Sequence, residues 1–464
     1  YISPILIKDL NIDEIITTYY SSFHNIHPFL PNKEHILNYL NSIPHNWDLL
    51  LCMKMVGDGQ TSSIYAKDVE LVNYMVGQIV DYIKQIGKDF VTLQSLLLLS
   101  MVSHISSLHD LSTFLRHALV DLTFELNLNN LDRDLIPQIF TDVNGFVTET
   151  EGKSNGNVGI TTAAANTSTT TTRRSSNIIN ANIHTPTSSV DSTSVINEIY
   201  ATGTRASAIP RDILLDTARR TLWEIYFFDT LSGTASGHTT SKLASVKLLT
   251  FFPETVPRET FDYKSRAESC KLVNDAIKLN VAIQSNKDVQ SHLIHMRASI
   301  GNWDMRLENP EMYNYPYLVN ASGVVNEGVQ QASLLTNYAK IFVHRPFSYL
   351  WRPDVSKHPK CTDEAGVTDN CETLKRQEVD SRKIIETRKT IESASSVIRS
   401  LIDTNPSKIL KRTPFFACAL AFACLVHLSA YSWVDSSISF FDENKNVNIN
   451  SLRQSINSEE LETY

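Results

Sequence analysis

The sequence has 464 residues, 42% of them hydrophobic and 20% charged, which is enough for two or three average domains or one large body with a sizeable core. The formal net charge of −8 disfavours direct contact with the phosphates of DNA or RNA. Six cysteines without a CxxC pair exclude zinc sites built from close cysteine pairs and favour a reducing compartment, although Cys361 and Cys371 could close a small loop. Because the first residue is Tyr1 rather than methionine, we expect a piece of a longer protein.

The first part of the chain, residues 1–145, has a helical pattern. Apolar residues recur every 3.6 positions over residues 68–86, which predicts an amphipathic helix. Residues 92–107 are apolar on most sides and predict a helix buried in a large core. A further helix is predicted over residues 110–129, with Asp110 as its N-cap. Its apolar stripe would consist of Leu111, Phe114, Leu115, Ala118, Leu122 and Leu126.

The composition changes at residues 146–208, which are rich in Ser, Thr and Asn. Such a segment buries too little apolar surface to offset its ordering entropy, so we predict a flexible insertion. Helical patterning resumes over residues 209–434, interrupted by a predicted loop at 353–373, and a polar tail follows at 435–464. We therefore predict an all-α fold, a single large helical body whose two halves are joined by a disordered insertion.

One segment also satisfies the length and composition of a membrane span. Residues 414–434 carry no formal charge, with basic residues up to Arg412 before them and Asp435 after them. However, the segment contains His427 and two serines, and its Ala and Cys content suits close helix packing inside a bundle. We favour a buried helix and no membrane association.

The sequence lacks the usual signatures of catalysis and metal binding. It has no GxGxxG or GxxxxGK[ST] phosphate loop and no GxSxG nucleophile turn. His24 with His27, and His292 with His295, are each three positions apart, but neither pair has the further ligands that zinc requires. We predict core or surface histidines, no catalytic residue, no metal and no enzymatic activity.

Asp229 raises a specific question, because it shares a helical stripe with apolar residues. A buried carboxylate requires a cation or hydrogen-bond donors. The best donor in the second half is Arg345 of KIFVHRPFSYLW, with Lys340 and His344 as alternatives. We predict that Asp229 joins two core helices as a structural staple. The stripe comprises Ala218, Leu222, Ile225, Tyr226 and Asp229.

Around Asp229, the segment RDILLDTARRTLWEIYFFDTLSGTASGHT resembles the signature helix of the fungal-specific transcription factor domain, also called the middle homology region. That domain occurs in regulators with a two-zinc, six-cysteine cluster. Thr230 stands where the family usually has arginine, and His238 and Thr239 replace its Arg-Pro. The positions that fit the family pattern are Arg219, Arg220, Trp223, Asp229, Ser232 and Gly237.

Three further segments resemble the same family in the same order. YYSSFHNIHPFLPNKEHIL resembles its opening helix and His-Pro-x-x-Pro turn, through His27, Pro28 and Pro31. TLQSLLLLS and HALVDLTFELNLN resemble the next two core helices. IFVHRPF resembles the later His-Arg-Pro element through His344, Arg345 and Pro346. The resemblance covers roughly residues 12–434.

The resemblance implies an all-helical regulatory domain in the nucleus that controls RNA polymerase II transcription and responds to a small-molecule effector or a transcriptional co-regulator. It also implies that zinc and DNA contact belong to a module outside this chain. The alternative is a ligand-free scaffold for dimerisation or assembly, for example as a homodimer, and a third class is an enzyme or a membrane-anchored protein. Ligand-binding residues are not assigned, and the predicted structural staple consists of Arg219, Trp223, Asp229 and Arg345.

Overall fold

The computed structural model describes most of the predicted helical regions. The described residues are 11–42, 46–62, 74, 77, 80, 81, 89–133, 209–235, 242–253, 261–285, 287–313, 315–319, 321–350, 380–402 and 412–443, the last with side chains to Asp435. Most of the predicted helix at 68–86, the insertion at 146–208, the loop at 353–373 with Cys361 and Cys371, and residues 444–464 of the tail lie outside them. So do Gly237, His238 and Thr239 of the signature segment.

Within these residues the protein is all-α, as the sequence predicts. An isolated antiparallel bridge between Val319 and Val325 is the extent of the β structure there. The described part contains eleven α-helices: α1 (Ile12–Ser22), α2 (Lys33–Ser42), α3 (Asn46–Ser62), α4 (Phe90–Ile105), α5 (His109–Glu125), α6 (Arg211–Ala235), α7 (Tyr263–Gln284), α8 (Gln290–Glu308), α9 (Glu327–His344), α10 (Ser381–Ile402) and α11 (Ala417–Glu443).

Helices α4 and α5 form where the apolar runs predict them. The side chain of Asp89 caps α4 by accepting a hydrogen bond from the backbone of Thr92 at 2.6 Å, and α4 is buried on nearly every side. Two details differ for α5. Its N-cap is Leu108, so Asp110 lies in the first turn, and Phe114 of the predicted apolar stripe is 54% exposed. The buried face is rotated and contains Arg116.

Helix α6 lies at the centre of the fold and packs against α4, α5 and α7. The predicted stripe is buried, with Asp229 only 3% exposed. The other sides of α6 are buried as well, including Thr221, Glu224 and Phe228. A helix buried on all sides has to place its polar groups among partners. The buried charged residues of α6 are Arg220, Glu224 and Asp229.

In the second half, α9 packs between α7 and α10 and also touches α8, while α10 packs on α11. Asp262 and Asn326 cap α7 and α9 by accepting backbone hydrogen bonds. The starts of α7 and α9 lie so close together that a Cβ at Gly328 would overlap the backbone nitrogen of Asp262. Glycine at this position allows the start of α9 to approach the start of α7.

A single hydrophobic cluster contains residues from both predicted halves, from Ile15 of α1 to Ala430 of α11. The halves therefore share an interior.

Pro414–Asp435 is a helical stretch long and apolar enough to cross a membrane, with a mean hydropathy of 1.8. In its most apolar stretch of 18 residues, 39% are buried in the protein. Phe422 on one face of it stacks on Phe342 at 5.1 Å, whereas Leu428 and Tyr431 are more than half exposed.

Candidate functional site

Asp229 is buried and paired with an arginine, but the arginine is Arg116 of α5. Arg116 Nη1 lies 3.3 Å from Oδ1 of Asp229, and Oδ2 has no hydrogen-bond partner. Burial raises the pKa of Asp229 to about 7, against the opposing effect of Arg116. The prediction that Arg345 neutralises Asp229 is therefore wrong. The cation comes from the first half, where the rotated face of α5 turns Arg116 inward.

Arg219 and Trp223 hold α6 to a different segment. Arg219 makes two hydrogen bonds to the buried carboxylate of Asp132, at 2.6 and 3.0 Å. The same carboxylate accepts the backbone N–H of Phe251 at 2.8 Å, and the indole N–H of Trp223 donates to the carbonyl of Phe251 at 2.9 Å. Arg219 and Trp223 thereby connect α6 to Asp132, which precedes the predicted insertion, and to Phe251, which follows it.

Arg345 lies in a short 3₁₀ turn after α9. Its guanidinium sits over the ring of Phe422 at 5.2 Å, which is a cation–π contact with α11. Burial lowers the pKa of Arg345 to about 10. The four predicted staple residues thus take part in three separate interactions.

A group of buried polar and charged side chains, which we call the Glu224 cluster, consists of His27, Glu224, Tyr263, Arg266 and Thr413. Arg266 of α7 forms an ion pair with Glu224 of α6, and both side chains are at most 1% exposed. His27 donates from Nδ1 to Oε1 of Glu224 at 2.6 Å, and the hydroxyl of Tyr263 donates to Oε2 at 3.2 Å. The cluster is built from four separate parts of the chain.

The protonation of the cluster follows from its surroundings. Burial lowers the pKa of His27 despite the carboxylate beside it, so the ring is neutral. Burial alone would raise the pKa of Glu224, but Arg266 and His27 outweigh it and lower that pKa. The neutral ring then accepts at Nε2 a hydrogen bond from the hydroxyl of Thr413 at 3.1 Å. The cluster is therefore one carboxylate–guanidinium pair with neutral donors around it.

Aromatic rings and α9 complete the surroundings of Arg266. Its guanidinium lies 4.4 Å from the ring centre of Phe227 and 4.6 Å from that of Phe261. Nη1 donates to Gln331 of α9 at 3.3 Å, and Gln331 in turn donates to the carbonyl of Ile26 at 3.5 Å. Such enclosure offsets the desolvation of two buried charges.

The order hydroxyl, imidazole, carboxylate in Thr413, His27 and Glu224 is one that enzymes use for nucleophilic catalysis. Here Thr413 is only 5% exposed, and its hydroxyl oxygen also accepts the backbone N–H of Phe415 at 3.4 Å. A nucleophile needs space for a substrate beside it. Within the described residues the arrangement fits a structural link between three distant segments.

A second group of polar side chains lines a cavity of about 430 Å³ between α8, α9 and α10, which we call the α8–α10 pocket. Its volume lies in the range of about 300–1,000 Å³ typical of small-molecule sites. His344 of the His-Arg-Pro element is one of the lining residues and donates from Nδ1 to Glu386 at 2.6 Å. The pocket is lined by Arg297, Ile300, Gly301, Asp304, Asn337, Lys340, His344, Lys389, Glu392, Ser393 and Ser396.

Neither the Glu224 cluster nor the pocket was predicted from the sequence. Glu224 stands inside WEIYFF, and a carboxylate within an aromatic run is a usable sign of a buried charge, but its partners lie 42 and 197 positions away. Lys340 and His344, considered as partners for Asp229, instead line the pocket. Among the described residues, no group of three or more His, Cys, Asp or Glu side chains could hold a metal ion.

No family model, curated protein or solved structure matches this chain. The resemblance to the fungal transcription factor domain therefore rests on its sequence motifs.

Proposed function

We propose that the chain is the regulatory domain of a fungal zinc-cluster transcription factor, acting in the nucleus on RNA polymerase II transcription. DNA contact and zinc belong, in this proposal, to a module outside the chain. The domain has no enzymatic role and no membrane role. It changes between helical arrangements when a small effector or a co-regulator binds one of them better.

The observation that carries the proposal is the contact between two of the family-like segments. His27 of the His-Pro turn donates to Glu224 of the signature helix, 197 positions away, at 2.6 Å. Arg220 of the same helix reaches the carbonyl of Pro28 at 3.4 Å. Two segments that follow the family's order in the sequence thus also contact each other in the core. This contact supports a fold shared with the family more strongly than the order of the motifs does.

A reporter experiment tests the proposal. The chain is fused to an unrelated DNA-binding module, and transcription from the matching promoter is measured in a fungal host grown on different nutrients. We expect output that depends on the chain and changes with the medium. The DNA-binding module alone is the control, and equal output with and without the chain on every medium would refute the proposal.

A ligand-free scaffold is the second candidate, and an exposed apolar segment favours it. Between α8 and α9 several large hydrophobic side chains are exposed, and apolar patches of this kind often mark protein contacts. Analytical ultracentrifugation distinguishes the candidates, because a scaffold forms a defined oligomer without any small molecule. The exposed side chains are Met312 (79%), Tyr313, Tyr317, Leu318, Val319 and Val324.

A further inference from the structure

We propose that the outer side of α8 and the segment between α8 and α9 together bind a cationic amphipathic helix of a partner protein. We call this surface the α8–α9 patch. It consists of the six large hydrophobic side chains exposed between the two helices, from Met312 to Val324, together with Ile294 and Met305 of α8. The inference rests on the proposed function only in taking the partner to be the co-regulator.

The outer side of α8 is apolar. Ile294 and Met305 are 11 positions apart, which is about three helical turns, so both lie on one side of the helix. They are 59% and 44% exposed, and the exposed Ala298 lies between them on the same side. A surface helix normally carries polar side chains where it faces solvent. The described residues thus leave an apolar helix face in contact with water.

The segment after α8 extends this face and is fixed against it. The hydroxyl of Tyr313 donates to Sδ of Met305 at 3.5 Å. The ring of Tyr315 packs edge-on against Trp303 with 6.2 Å between the ring centres, and its backbone N–H donates to the carbonyl of Pro310 at 2.8 Å. A surface that is already held in place loses little conformational entropy when a partner binds it.

The size and composition of the patch fit a protein partner. The exposed fractions of its side chains add up to about four whole side chains, or roughly 600 Å² at about 150 Å² each. A protein in a standard complex buries about 800 Å², so the patch would fill most of such an interface. Tyrosine and methionine are enriched at interfaces, and the flexible methionine side chain adapts to the shape of a partner.

The charges at the patch select a cationic partner. Arg306 is paired with Glu268 of α7 at 3.1 Å. Glu308, the last residue of α8, is exposed at the negative end of the helix dipole. The exposed Glu311 accepts a hydrogen bond from the hydroxyl of Tyr317 at 2.5 Å, which holds its carboxylate beside the patch. The charged side chains of residues 305–326 are Arg306, Glu308 and Glu311.

These carboxylates favour a different protein over a second copy of the chain. In a symmetric dimer the patch would meet itself and bring the glutamates of both copies into one interface. Like charges at an interface cost free energy, and two copies that each carry a net charge of −8 also repel each other. An amphipathic helix with lysines or arginines beside its apolar stripe instead matches both the apolar surface and the glutamates.

Fluorescence anisotropy with the purified 464-residue chain tests the inference. The probe is a labelled peptide of leucine and lysine, about 14 residues or four helical turns long, with its leucines on one side of the helix. Two control peptides should bind about tenfold more weakly or worse: one with glutamate for lysine, and one rearranged so that the leucines do not share a side. Equally tight binding of either control, or no binding of the probe at about 100 μM, would overturn the inference.

Variants of the patch locate the peptide. Met312→Ser and Tyr317→Ser should each weaken binding by about fivefold or more, because each removes an apolar contact. Leu428→Ser is the matched control, since Leu428 is 61% exposed on α11. Equal affinity in all three variants would place the peptide elsewhere and reject the patch. Circular dichroism confirms that each variant is folded.

A double variant, Glu308→Gln with Glu311→Gln, tests the contribution of charge. It should weaken binding by about threefold and reduce the dependence of the affinity on salt. Asp110→Asn with Asp121→Asn is the control, because it removes two exposed carboxylates of α5. An equal loss in both double variants would indicate general attraction to an acidic chain and would overturn the inference.

Two further measurements keep the alternatives separate. In analytical ultracentrifugation we expect a monomer, and a dimer that dissociates in the Met312→Ser variant would mean that a second copy covers the patch. If the chain controls the reporter but the peptide does not bind at the patch, this inference fails and the proposed function stands. If the peptide binds at the patch but the reporter ignores the chain, the proposed function fails and the binding surface stands.

Discussion

Glu224→Gln tests how the core of this protein is held together. The change removes one negative charge and keeps the size of the side chain. Arg266 then stays in the core, 1% exposed, without its counter-charge. Because removal of one partner from a buried ion pair leaves an uncompensated charge, the free energy of unfolding should fall by about 3–5 kcal/mol.

Asp121→Asn is the matched control. Asp121 pairs with Lys242 at 2.7 Å, but the two side chains are 55% and 63% exposed. An exposed pair contributes about 0.2–1 kcal/mol, so the same carboxylate-to-amide change should cost little there. The two variants separate the effect of burial from the effect of the substitution.

The assay is urea unfolding followed by far-UV circular dichroism. At neutral pH the Glu224→Gln variant should unfold at a clearly lower urea concentration than the control. Since the pKa of Glu224 is lowered in the folded protein, its contribution is present above the usual value of 4.5 and is lost as the pH falls through the folded value. The deficit of the variant should therefore shrink in acid. A cost within about 1 kcal/mol of the control at neutral pH would refute the assignment of a buried ion pair.

Three further predictions concern Asp229 and two glycines. Since the pKa of Asp229 is raised from 3.8 to about 7, the folded state binds a proton between these values that the unfolded state does not. Relative to Asp229→Asn, the wild-type chain should lose about 1.4 kcal/mol of unfolding free energy per pH unit in this range and level off above it, as measured by urea unfolding across pH. Gly328→Ala should destabilise the fold by about 1–3 kcal/mol, because the new Cβ would overlap the backbone of Asp262. Gly301→Ala, in helix α8 with open space around it, should instead be neutral or stabilising by up to about 1 kcal/mol in thermal unfolding.

The helices could be predicted because their apolar periodicity is a local property. The run at 92–107 predicts a helix buried on most sides, and α4 at Phe90–Ile105 is one. The stripe through Asp229 predicts its burial, which the structure confirms. The pattern predicts less accurately which side of a helix faces the core. In α5, Phe114 is exposed although the pattern predicts its burial. A small rotation of a helix about its axis exchanges buried and exposed positions, and in α5 it places Arg116 in the core.

The partners of buried charges could not be predicted in the same way. Arg345, Lys340 and His344 were all plausible cations for Asp229 by composition, and the structure pairs it with Arg116. The pocket depends on the packing of three helices whose register the sequence does not contain. Pairings over more than a hundred positions follow from the tertiary arrangement, and a single sequence carries no signal for them.

The Glu224 cluster and the α8–α10 pocket differ in how exposed their charged side chains are, and this difference indicates which of them can bind a ligand. In the Glu224 cluster the charges are inaccessible and satisfied within the chain, so that opening it to a ligand would cost several kcal/mol. In the α8–α10 pocket the side chains of Arg297 and Lys389 are nearly half exposed. Their ion pairs with Glu386 therefore contribute little free energy, and little is lost when a ligand replaces water beside them. A core that needs charge to join distant segments uses the first arrangement. Reversible recognition of a charged molecule requires the second, and this is why the pocket, and not the cluster, is the place to look for an effector.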